Sequence, residues 1–474
     1  MDSSGDAPRW NRFRLEPRGH PRVNGSSPEQ AGKGNMPEPK QPRPPRIVVT
    51  PDDAMIDVTR RIELRGFPAG AIRLHTTLRE ADGSLWCSQA TFLTDGGDLD
   101  LDRAAPESGD WHEPSSIATV WSMRRTGDAP RVAESILPIT SNLHALGERG
   151  TEATTTLTQR FLAPGVERRD IAESGIVGTL FTSGRAGRSP VVVVLAGTGG
   201  GLMERRATLF AAHGYTTLAL GYFGVPGLPD YISGTPLEYF ETALTWVRRS
   251  LAPAGGFVAL SGVSRGGELA LLLGATFPDL LSAVIAYVPS PFTHGVLNAG
   301  RKGEDRHAPA WLYYGRPLPV LSQANRTANW DLFDQAPPPR RQTPAFETAL
   351  EDADAVSRSL IRLHRIAGPV LLISGEDDAL WPSTRFAGIA EQCLRAAGHP
   401  FIVRHVSYPD AGHTIEYPFR PSTVLARPHA VSGIMLAYGG TAKGNARASE
   451  ASWREVRRFL ARTTGANSDE RATQ

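Results

Sequence analysis

Ser264 lies in Gly262-Val-Ser-Arg-Gly266, with a glycine two positions away on either side. A serine hydroxyl is a weak nucleophile at neutral pH and attacks a carbonyl only when an adjacent base takes its proton. The Gly-x-Ser-x-Gly spacing predicts a strained strand-to-helix turn in which the glycines let the backbone pass close to its neighbours. Phe257–Ser261 reads as that strand and Glu268–Thr276 as that helix. Such a pentapeptide also occurs in tight turns whose serine does no chemistry, so its partners decide the matter.

A base and an acid should follow in the order serine, acid, histidine, each in a loop after a strand. The apolar strand Val370–Ser374 leads directly into Gly375-Glu-Asp-Asp378, and the strand Phe401–Val406 is followed by Pro409-Asp-Ala-Gly-His413. In this arrangement His413 takes the Ser264 proton and returns it to the leaving group. Asp378 holds the imidazole in the right tautomer. Asp377 is the alternative acid, because spacing does not separate adjacent carboxylates. Two backbone N–H groups are needed for the developing oxyanion. One is that of Arg265; the other comes from Thr198 or Gly199 in Gly197-Thr-Gly-Gly-Gly201. A dinucleotide-binding reading of that loop fails, because Gly-x-Gly-x-x-Gly from Gly197 needs glycine where Leu202 stands.

These residues need a scaffold. Pro190–Ala196, Thr216–Leu220, Phe257–Ser261, Ala283–Tyr287 and Val370–Ser374 are apolar runs separated by amphipathic stretches such as Glu204–His213 and Glu238–Arg249. Strands alternating with helices predict an α/β fold with a doubly wound, mostly parallel sheet. Before it, Arg61–Arg65, Ile72–Leu78, Leu85–Phe92, Ile117–Trp121 and Thr154–Phe161 read as short strands. Asp82-Gly83 between two of them predicts a hairpin whose central residues both have positive φ. No helical pattern interrupts these strands, which fits a smaller antiparallel β-sandwich. The expected division is a tail at 1–46, a β-sandwich at 47–163, a catalytic domain at 164–464 and a tail at 465–474. A cap-like insertion at about 291–355 carries Trp311, Tyr313, Tyr314, Trp330 and Phe333.

Composition sets bounds. The chain has 474 residues, 40% hydrophobic and 21% charged, with a formal net charge of +2. That balance gives no electrostatic footprint for nucleic acid. Cys87 and Cys393 are far apart and outside any metal-ligand spacing, so neither a disulfide scaffold nor a metal site is expected. His294, His307, His399 and His429 form no metal-spaced pair and read as ordinary surface or core histidines. Apolar runs such as Val191–Ala196 fall far short of the ~20 residues of a membrane-spanning helix. With no apolar stretch after the N-terminus, a cytoplasmic protein without membrane insertion is expected. The first 46 residues hold nine Lys/Arg, five Asp/Glu and little apolar content, which is the composition of a disordered tail, and Met36 offers an alternative start.

The motifs together resemble the acyl-CoA thioesterase and bile acid-CoA:amino acid N-acyltransferase family. The matches are Gly199-Gly-Gly-Leu-Met-Glu-Arg-Arg-Ala207, Leu237-Glu-Tyr-Phe240, Gly262-Val-Ser-Arg-Gly-Gly-Glu-Leu269, Gly375-Glu-Asp-Asp378 and Tyr408-Pro-Asp-Ala-Gly-His-Thr-Ile-Glu416. The resemblance covers about Ile47 to Leu460 and implies a β-sandwich ahead of an α/β-hydrolase fold. It also implies an acyl-CoA substrate, an acyl-enzyme on Ser264, the acid at Asp378 and no cofactor. Arg265 replaces the usual lysine of the family's elbow. Family transferases that deliver to amino acids carry cysteine where Ser264 stands, so serine implies hydrolysis to free acid and CoA. Transfer to an amine, action on esters or carrier-bound acyl groups, and a non-catalytic binding role are the competing functions.

Overall fold

A computed structural model describes residues 44–127, 135–182 and 187–465. The expected tails therefore lie almost wholly outside the described residues. Eight strands form the main sheet, in the order Glu167–Glu173, Ile176–Thr182, Thr216–Leu220, Val191–Leu195, Val258–Val263, Ala283–Tyr287, Val370–Gly375, Val403–Tyr408. From Thr216–Leu220 onward neighbouring strands are parallel. The two leading strands are antiparallel additions that the sequence pattern does not announce.

Continuous apolar runs are what a sheet covered on both faces requires. Val191, Val193 and Leu195 enter one hydrophobic core, and Val192 and Val194 enter the other. After Val191–Leu195 the chain crosses to Thr216–Leu220 on one side, then returns to Val258–Val263 on the other. That reversal leaves a crevice at the carboxyl ends of the strands, where open α/β sheets bind ligands.

The N-terminal region is antiparallel, except where Asp53–Met55 runs parallel to Glu152–Arg160. A three-stranded sheet faces a seven-stranded one. Ile62 and Leu64 from the first pack with Ile72, Leu74, Phe92 and Leu143 from the second. Burying one such side chain contributes about 2 kcal/mol.

Two local expectations are corrected. Ile117–Trp121 is not a strand: Ala118–Trp121 forms a helical turn, buried throughout. Ser115 Oγ accepts from Ala118 N (3.2 Å), and the Ser122 and Thr119 hydroxyls bond back to Ala118 O and Ser116 O. Those local serine and threonine bonds outweigh the β-propensity of valine, threonine and tryptophan. At the hairpin between Gly70–Arg79 and Leu85–Thr94, Gly83 alone has positive φ. The loop closes through Glu80 N to Ser84 O and Gly83 N to Glu80 O, while Asp82 Oδ1 accepts from Ser84. The result is a three-residue turn ending in a glycine rather than a two-residue one.

The two regions share a core. Ile56, Leu78, Val120, Met123 and Phe161 pack with Phe210, Tyr417 and Trp453 beneath the main sheet. Polar ties accompany this packing. Asp57 Oδ2 receives Trp453 Nε1 (2.8 Å) and pairs with His213 Nε2 (2.6 Å). Burial pushes the Asp57 carboxyl up, but these two partners hold it below its ordinary value. Above the carboxyl edge, residues 291–360 contribute short strands and helices whose Phe292, Trp330, Phe333 and Phe346 form an aromatic core with Trp381, Phe386 and Tyr438. Among the described residues no helix is long and apolar enough to cross a membrane.

Candidate active site

Ser264 occupies the turn between Val258–Val263 and the helix Arg265–Thr276, with φ 59° and ψ −121°. A non-glycine residue in that region is strained and persists only where its surroundings hold it. Here Ser264 N donates to Tyr287 O (2.9 Å), and Ser264 O accepts from Gly267 N and Glu268 N. The flanking glycines are sterically required. A Cβ on Gly262 would lie 1.8 Å from Gly266 O, and one on Gly266 would lie 2.4 Å from Ala196 O.

The Arg265 side chain is fully buried. Its guanidinium donates to Glu268 Oε2 (2.8 Å) and to Gly295 O (2.8 Å), while Glu268 Oε1 accepts from Trp311 Nε1 and His294 N. Burial pushes the Glu268 carboxyl above its ordinary value against the pull of Arg265. His294 Nε2 bonds Ser290 Oγ, and burial beside the Arg265 charge drives its pKa well below the usual histidine range. The elbow helix is thereby fastened to residues 295 and 311 of the insertion.

The acid and base lie in the loops after Val370–Gly375 and Val403–Tyr408. His413 Nδ1 bonds Asp378 Oδ2 at 2.8 Å and Oδ1 at 3.0 Å. Asp378 Oδ1 also accepts from Leu380 N and Trp381 N, so the buried carboxylate has its donors supplied and the ring proton sits on Nδ1. Asp377, the alternative acid, faces outward, with Arg341 on Oδ1 (3.0 Å) and Gly440 N on Oδ2 (2.9 Å). His413 Nε2 is buried and has no hydrogen-bond partner among the described residues, so a Ser264–His413 hydrogen bond is not formed in this structure. Such bonds often tighten only with substrate.

Gly197 stands beside the nucleophile: a Cβ there would lie 3.3 Å from Ser264 Cβ. Gly200 N closes a turn onto Gly197 O, and Gly201 N donates to Phe223 O. With those two amides committed, Gly197, Thr198 and Gly199 remain as the loop's candidate oxyanion donors, together with Arg265 N at the helix start. His429, expected to be an ordinary surface or core histidine, is buried with its Nε2 3.0 Å from Thr198 Oγ1. Sequence spacing carries no signal for that contact across 231 positions. Among the described residues no group of three or more His, Cys, Asp or Glu side chains is placed to hold a metal ion. A serine hydroxyl in a strained turn and an imidazole oriented by a buried carboxylate can together carry out acyl transfer where the two side chains meet.

Two family descriptions match the chain: "Acyl-CoA thioester hydrolase/BAAT N-terminal region" over residues 57–173, and "BAAT / Acyl-CoA thioester hydrolase C terminal" over 235–466. The chain is 30% identical over 416 residues to acyl-coenzyme A thioesterase 6 of Mus musculus, covering 84% of this chain and 92% of that one. It is 29% identical to the mitochondrial acyl-coenzyme A thioesterase 2 of Homo sapiens, covering 85% and 81%. It is 28% identical to the peroxisomal succinyl-coenzyme A thioesterase of Mus musculus, covering 85% and 93%.

Proposed function

Because this chain belongs to the acyl-CoA thioester hydrolase/BAAT family, we propose that it hydrolyses an acyl-CoA thioester through an acyl-enzyme on Ser264. Ser264 Oγ attacks the thioester carbonyl as His413 Nε2 takes its proton. The carbonyl oxygen, now an anion, is received by the N–H groups of Arg265 and of Thr198 or Gly199. Collapse breaks the carbon–sulfur bond, and His413 returns the proton to the CoA sulfur. A water molecule then attacks the oxoester with His413 again as base, and the free acid leaves Ser264 regenerated. Asp378 keeps the ring proton on Nδ1 and stabilises the imidazolium at each stage.

One observation supports this reading most: the His413 ring is held by a buried, fully engaged carboxylate while Nε2 is left without a partner at the carboxyl edge of the sheet. Water is the acceptor in this reading because the intermediate on serine is an oxoester, which amines attack less readily than a thioester. The same reading divides the chain near residue 163, with the β-sandwich before it, the catalytic domain after it and the cap at about 291–355.

The test is a panel of acyl-CoA species supplied with and without glycine or taurine, with CoA release and product identity followed by liquid chromatography. Free acid should predominate. A fluorophosphonate should label the wild type at Ser264 and leave Ser264→Ala unlabelled. Predominant amide would make the protein a transferase, and an active but unlabelled enzyme would remove serine from the mechanism.

A further inference from the structure

The hairpin Ala426–Pro428/Met435–Ala437 closes through His429 N to Ile434 O (2.9 Å) and Gly433 N to His429 O (2.9 Å). His429 therefore begins the hairpin tip, and its side chain is buried. Nδ1 of the ring faces the N–H groups of Val431 and Ser432, each at 3.3 Å. Two donors aimed at Nδ1 require a lone pair there, which puts the ring hydrogen on Nε2. Nε2–H then donates to Thr198 Oγ1 at 3.0 Å. The tip also lies against the next residue, since a Cβ on Gly199 would be 3.8 Å from Ala430 Cβ.

Thr198 and Gly199, with Gly197, are the oxyanion-loop residues whose amides are not engaged in closing that loop. The turn is fixed from within by Gly200 N on Gly197 O, and from one side by Gly201 N on Phe223 O. The Tyr222 hydroxyl holds Ala196 O at the loop's start, and the His429 ring holds Thr198. Oxyanion stabilisation depends on donors fixed in place before charge develops, so a residue that sets the tilt of the Thr198 peptide acts on the transition state more than on substrate binding. We propose that His429 is a positioning residue for the oxyanion loop, acting through Thr198 Oγ1. The same hairpin reaches the base and the insertion: His413 N donates to Tyr438 O (2.7 Å), and Arg340 pairs with Met435 and Ala437. One short hairpin thus registers the oxyanion loop against the catalytic histidine and the cap.

This inference rests on the serine mechanism above, and the experiment separates the two. His429→Phe keeps ring volume without polar atoms, His429→Gln keeps a donor near the Nε2 position, and Thr198→Val removes the acceptor while keeping the backbone N–H. Each is assayed for kcat and KM on one acyl-CoA, for the second-order rate of fluorophosphonate labelling at Ser264, and for Tm. His429→Phe and Thr198→Val should each lower kcat by about ten- to a hundredfold with KM within about twofold. Labelling should slow in parallel, and the double variant should be no worse than either single one. His429→Gln should recover part of the loss. A wild type that labels normally, with His429→Phe and Thr198→Val labelling equally fast, would overturn the role of His429 alone. Losses that are additive and carried by KM or Tm would overturn it as well. A wild type that turns over acyl-CoA but is never labelled would overturn the serine mechanism and this inference with it.

Discussion

The loop that carries Ser264 and the loop that carries His413 are held in place in opposite ways. Ser264 is fixed by its own neighbourhood: the glycines at 262 and 266, the Tyr287 carbonyl on the adjacent strand, and the Arg265–Glu268 pair one turn into the helix. The stretch after His413 is long and irregular, and its ties come from far along the chain. Just before the histidine Gly412 N reaches Asn445 Oδ1; after it Arg206 donates to Ile415 O, Arg205 donates to Tyr417 Oη, and Gln159 Nε2 donates to Phe419 O. Ser422 N and Thr423 Oγ1 bond the carbonyls of Trp121 and Met123. Arg205 also pairs with Glu80 (2.8 Å) at the end of the sandwich hairpin. Ser264 is thus held by the elbow and the elements packed directly on it, whereas the stretch around His413 is also tied to the N-terminal region and the C-terminal helix. In this molecule the N-terminal region is tied to the segment that follows the histidine.

Four sets of measurements test that contrast. The largest effect is expected from the triad itself: Ser264→Ala or His413→Ala should lower kcat by about three orders of magnitude or more, and the double variant should add little. Asp378→Asn should also be severe, whereas Asp377→Asn, at a half-exposed ion pair, should keep near-normal kcat. The reverse outcome would exchange the acids. Second, Arg265→Met leaves Glu268 buried and unpaired and should lower unfolding stability by about 3–5 kcal/mol. Arg265→Met with Glu268→Leu should recover much of it in urea titrations. If it does not, the pair's bonds to Gly295 and Trp311 matter more than its charge.

Third, Arg205→Met and Gln159→Leu should lower kcat through His413 seating even where fold is retained. Losing the Gln159 bond costs about 1 kcal/mol of stability, and losing Arg205 more, because Glu80 and Tyr417 each lose a charged partner. Hydrogen exchange should speed in residues 413–423 and stay unchanged in the elbow helix Arg265–Thr276. Faster exchange in the elbow would dissolve the distinction between the two loops. The smallest effect concerns pH. The His294 pKa is depressed in the folded state, so its contribution to stability is complete above the unfolded value near 6.5 and falls as pH drops below it. Relative to His294→Phe, the wild type should lose up to about 1.4 kcal/mol per pH unit below that point. Parallel pH–stability curves for the two proteins would show that His294 takes up its proton while folded.

The same contrast explains what could be read in advance. The elbow is legible because its constraint, glycine at two positions around a serine, fits within five residues. The parallel strands are legible because burial on both faces leaves a continuous apolar run. Glu167–Glu173 is not, since it is an edge strand with Ile171 as its one buried residue. Asp378 and Asp377 are indistinguishable in sequence. What separates them is a turn that presents Leu380 N and Trp381 N to one carboxylate and Arg341 and Gly440 N to the other. Ile117–Trp121 misleads because two serines upstream overrule the propensity of the residues themselves. His429 carries no local mark at all, because its meaning lies in Thr198.

The close approach of Gly262 and Gly266 to backbone carbonyls also bears on how this protein can change over descent. Any missense change at either codon adds at least a Cβ, which would collide with Gly266 O or Ala196 O. The backbone would have to shift to admit it, which lowers stability whatever it does to catalysis. Ser264 has no comparable guard: alanine fits the space of its side chain, although the strained backbone must still be held. A lineage that lost the activity would therefore keep the flanking glycines long after it had lost the serine. In any descendant the glycines record the architecture of the turn, and the residue between them records whether chemistry is still done there.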